Sequence, residues 1–64
     1  MQKAMEVSLR YALDYYQAAK SGKPEKMVNY ENRIKEIKDR YVNHPELFEE
    51  VFLKEQEKRG IFVL

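Results

Sequence analysis

Apolar residues recur along the first part of the chain in alternating steps of four and three: Met5, Leu9, Ala12, Tyr16 and Ala19. Steps of that size return to one side of an α-helical turn, so the pattern predicts a helix with one buried stripe. Leu13 widens the stripe, while Lys3, Glu6, Arg10, Asp14 and Gln17 fall mainly on the opposite side. A second row, Ala4, Ser8, Tyr11, Tyr15 and Ala18, runs beside the first. Its small residues let another backbone approach, and tyrosine suits a surface that is dry at one end and wet at the other. The row is read as the seat of a third helix or as an interface with a second copy, the first reading being preferred.

Gly22 and Pro24 in "KSGKP" end that helix. Glycine takes the left-handed conformation at a helix end, and proline cannot continue the hydrogen-bond ladder. Pro24 also suits the first position of the next helix, with Glu25 favourable in its first turn. There Met27, Tyr30, Ile34, Ile37 and Tyr41 step by three and four. Glu31 to Lys35 and Glu36 to Arg40 are i,i+4 pairs in the favourable order, each worth a few tenths of a kcal/mol.

"NHPELFEE" marks the next boundary: Asn43 and Glu46 fit a capping box, and His44 is the alternative cap if Pro45 opens the helix. Leu47, Phe48, Val51 and Phe52 then form overlapping apolar pairs, Lys54, Lys58 and Arg59 suit the C-terminal end, and Gly60 stops it. The expected fold is all-α. An antiparallel two-helix hairpin covers about 2–21 and 24–42, a shorter third helix about 45–59, and an apolar tail 60–64, all within one small domain, 1–64.

Composition narrows the chemistry. A chain of 64 residues buries only about 60% of its unfolded surface, so its core is small. Such scaffolds rely on disulfides, a metal or association. With no cysteine and one histidine, disulfides, thiolate zinc and a histidine metal site are excluded, and no cofactor is expected. Association remains: a homodimer, or docking on another protein. Apolar residues at 44% and charged residues at 36% suit a folded helical protein. There is no apolar run long enough for a membrane span, and "MQKAMEVSLR" lacks the core of a secretory signal, so a cytoplasmic location without membrane contact is expected.

Charge argues against nucleic acid as the main partner. The net charge is +1, and residues 44–64 carry three basic against five acidic side chains. Lys26, Arg33 and Arg40 recur every seven residues, but Glu31, Glu36 and Asp39 interleave them, as on a solvated face. A nucleic-acid-associated factor using helices 1 and 2 of a dimer is the alternative reading.

No catalytic constellation emerges. His44 stands before a proline and reads as a cap or surface residue, because a general base needs a positioned nucleophile or substrate and an orienting partner. Glu46, Glu49 and Glu50 read as helix N-terminal charge beside Phe48 and Phe52. The tail Ile61, Phe62, Val63 and Leu64 is too apolar to leave in water. It closes the protein's own core, packs across a dimer, or docks on another protein by strand addition. The Ala and Tyr content of the first two helices resembles tetratricopeptide hairpins, but their Trp, Leu-Gly and closing Pro positions are missing and no unit repeats, so no family is assigned. The expected function is that of a non-enzymatic protein–protein interaction module: a regulator, inhibitor or assembly adaptor. Its candidate contact residues are Phe48, Phe52, Ile61, Phe62, Val63, Leu64, Tyr11 and Tyr15.

Overall fold

A computed structural model describes residues 2–63, which form three helices: α1 (Gln2–Lys20), α2 (Lys26–Arg40) and α3 (Pro45–Arg59). The first stripe is the core of α1, with Met5, Leu9, Ala12 and Leu13 wholly buried and Tyr16 nearly so. Gly22, at φ 109°, turns the chain out of α1, and the Lys23 N–H donates back to the Ala18 carbonyl at 3.1 Å. This is the long backward bond of a glycine-terminated helix.

Both ends of α2 are shorter than the expected 24–42. The Lys26 N–H donates to the Lys23 carbonyl at 2.9 Å and the Met27 N–H to the Pro24 carbonyl at 3.1 Å, so Pro24 and Glu25 form a tight entry turn rather than helix. At the other end Tyr41 leaves helical geometry at φ −111°, ψ 35°, and residues 41–43 turn. His44 follows with φ −136°, ψ 54°. A residue before proline is pushed out of the α region by the ring's Cδ, and that sets the break.

The Asn43–Glu46 capping box is absent. His44 is the cap residue, its side chain makes no capping bond, and its carbonyl accepts from the Phe48 N–H at 3.0 Å. Pro45 fills the first helical position, where a missing N–H leaves nothing unsatisfied, and this puts Glu46 one residue too early for a box. The expected Glu31–Lys35 and Glu36–Arg40 pairs do not close either. Among the described residues the one i,i+4 ion pair is Glu50–Lys54, at 3.5 Å. Holding two exposed chains together costs rotamer entropy about equal to the gain.

α1 is the central helix: it packs most against α2 and less against α3, while α2 and α3 barely touch. Tyr16 and Tyr30 meet edge to face, with ring centroids 5.0 Å apart and planes at 61°. Ile37, Tyr41, Phe48 and Val51 complete the buried cluster.

α3 does not sit on the Tyr11–Tyr15 row. Arg59 Nη1 donates to Asp14 Oδ1 at 2.6 Å, and Arg10 Nε lies 3.5 Å from Glu55 Oε1, so α3 lies along the Arg10–Asp14 flank of α1. Leu13, on the core side of those two residues, is fully covered. Tyr11 stays 58% exposed and Tyr15 packs half-buried against the core. On the Arg10–Asp14 flank α3 adds Phe48 and Val51 to the core cluster while its buried Glu55 still reaches Arg10.

Candidate functional site

Because α2 and α3 each pack on α1 and barely on each other, they diverge from the corner at residues 41–44. The space between them is an apolar groove of about 450 Å³. Tyr30, Ile34 and Lys38 of α2, with Tyr41 just past its end, form one wall. Phe48, Glu49 and Phe52 of α3 form the other. Val42, 68% exposed, and Pro45 stand at the corner.

The helical period puts these side chains there. Ile34, Lys38 and Val42 are spaced by four, and Pro45, Phe48, Glu49 and Phe52 fall on one face of α3. The Phe48 and Phe52 rings tilt together with centroids 5.6 Å apart, and Lys38 Nζ lies 5.9 Å from the Phe48 ring centre, a cation over an aromatic face at the groove mouth. Burial, then the neighbouring Tyr16 phenol and the Glu31 carboxylate, hold the Tyr30 hydroxyl above its ordinary pKa of 10.0. It is therefore a neutral groove-lining phenol at physiological pH.

The residues singled out from sequence do not form one patch. Phe52 lines the groove half-buried, but Phe48 belongs to the core and is 5% exposed. In the tail, Gly60 adopts φ 66°, ψ 25°, the Ile61 N–H donates to the Gln56 carbonyl at 3.1 Å and the Gly60 N–H to the Glu57 carbonyl at 3.3 Å. This closed turn folds the chain back. The Val63 N–H then donates to Gln56 Oε1 at 2.9 Å. Ile61 and Val63 pack against the core cluster, whereas Phe62 alternates outward and is 59% exposed, so within one chain the tail closes the core through Ile61 and Val63 and not through Phe62. Leu64 lies outside the described residues.

Ile34, Lys38, Val42, Pro45 and Glu49 were not anticipated as site residues. Their signal was present as i,i+4 spacing, but a wall appears only once α1 has separated the two helices. Among the described residues no group of three or more His, Asp or Glu side chains is placed to hold a metal ion, and no helix is long and apolar enough to cross a membrane. The groove offers apolar area, two charges of opposite sign and two phenols. No known protein family, curated protein or solved structure matches the chain.

Proposed function

We propose that the protein is a non-enzymatic protein–protein interaction module, a small regulator, inhibitor or assembly adaptor, that acts by closing its α2–α3 groove against a protein surface. One observation carries this reading: an apolar groove of about 450 Å³ lies open between two helices of a chain with little other core. Grooves of this form accept the apolar face of a helix, and the partner's side chains complete the packing that α2 and α3 do not make with each other. Val42 and Phe52 supply the apolar contact, and Lys38 and Glu49 orient it.

Nucleic-acid association is less well supported. Arg10, the one arginine of α1, faces Glu55.

The chain has no cysteine, so one introduced thiol marks one position. Val42→Cys carrying a photo-crosslinker is expected to form a discrete protein adduct in cells, and Ser21→Cys, exposed at the α1–α2 turn, is not. Equal labelling from both positions, or adducts with nucleic acid only, overturns the reading.

A further inference from the structure

Resting on the groove as a protein docking surface, we infer that its occupant is a second copy of this chain, related by a two-fold axis along the groove. The argument is charge self-complementarity. Of the groove-lining side chains two are charged, one per wall and of opposite sign: Lys38 on α2 and Glu49 on α3. Lys38 lies four residues before Val42 and Glu49 four residues after Pro45, so each stands about one helical turn from the corner. Among the described residues neither has an ion-pair partner within its own chain.

A two-fold axis bisecting the groove exchanges its walls. α2 of each copy then faces α3 of the other, and Lys38 of each copy meets Glu49 of the other at equal depth. An isologous interface requires this reciprocity, in which residue i meets j and j meets i. A foreign helix imposes no such match between the two walls.

Sedimentation equilibrium on charge-swapped chains tests this. Lys38→Glu and Glu49→Lys each place like charges opposite one another twice per dimer. Each alone is expected to weaken self-association about tenfold. Mixing the two variants restores it. In the mixed dimer the introduced carboxylate of one chain faces the introduced ammonium of the other, and the native Glu49 of the first faces the native Lys38 of the second. The chain carrying both changes also dimerises like the unmodified protein. Both positions are exposed, and unchanged helical circular dichroism checks that each variant folds. As a test needing no variant, the dimer of the unmodified chain weakens with added salt.

A monomer at every concentration overturns the inference. So does a dimer indifferent to the swaps, or one weakened by both without rescue on mixing. If the chain is monomeric yet the crosslinker at position 42 captures a different protein, the second-copy inference fails while the groove reading stands. If the dimer forms through another face and position 42 captures nothing, both fail.

Discussion

Glu55 is a carboxylate with 2% of its side chain exposed, held at 3.5 Å by Arg10 from α1 and at 3.5 Å by Lys58 from its own helix. Removing a charge from water costs several kcal/mol, and a pair repays that only when both partners stay. The two members of the pair therefore respond differently to substitution. Arg10→Ala strands the buried carboxylate and should destabilise by about 1–2 kcal/mol, below the full cost of a broken buried pair because Arg10 is 46% exposed and Lys58 remains. Glu55→Leu removes the charge as well, and should leave stability within about 1 kcal/mol of the unmodified protein or raise it. Urea denaturation at pH 7 measures both, and equal losses for the two would contradict the account. Tyr30 gives a pH signature. Its folded pKa is raised above 10.0 by burial first, so the folded state holds the phenolic proton more tightly than the unfolded chain does. Its contribution is complete below about pH 10 and is lost as pH climbs through the folded value. Tyr30→Phe should flatten the alkaline fall in melting temperature. The burial of Tyr30 was legible from its place in the α2 stripe, whereas that of Glu55 was not, although Phe48, Val51 and Glu55 share core spacing. A glutamate on an apolar row reads as solvated until the facing helix shows its cation.

Gly60 and the segment after it behave as one element, a turn with a strap. The turn needs φ near 66°, and a Cβ there would meet no atom within 4 Å, so the obstacle to other residues is backbone conformation and not space. Gly60→Val should therefore cost about 1–2 kcal/mol. Ile61 and Val63 pack on the core while Phe62 points outward. Deleting residues 61–64 should lower the melting temperature of the isolated chain, Ile61→Ala should account for about 1–2 kcal/mol of that, and Phe62→Ala should change it by less than about 0.5 kcal/mol. Thermal melts followed by circular dichroism check the order. A Phe62 effect larger than that of Ile61 would mean that the strap runs in the opposite register. The helices, their core stripes and the glycine stops were legible because helical periodicity and glycine conformation are local properties. The seat of α3 was not, because periodicity tells which face of α1 is apolar but not which flank receives a neighbour. α3 lies on the charged flank, where Arg10 and Asp14 meet Glu55 and Arg59, a match visible only when two distant helices are compared.

At the scale of the whole molecule the charge distribution and the open groove point the same way. With a net charge of +1 and two of its arginines facing carboxylates, the protein should bind nucleic acid only weakly and in a salt-sensitive manner in a mobility-shift titration. Nanomolar, sequence-specific binding at physiological salt would overturn the interaction-module reading. Closure of the groove between two copies makes a thermodynamic demand as well. A chain whose α2 and α3 complete their packing only in a dimer draws part of its stability from association, so its melting temperature must follow concentration by mass action. Above the dimer dissociation constant, a hundredfold rise in protein concentration adds about 1.4 kcal/mol per chain, which for a domain of this size is about 6–11 °C. Lys38→Glu should flatten that slope, because its dimer dissociates within the range scanned, while adding an equal amount of Glu49→Lys should return it. A melting temperature independent of concentration would instead describe a monomer whose groove is closed by something other than itself.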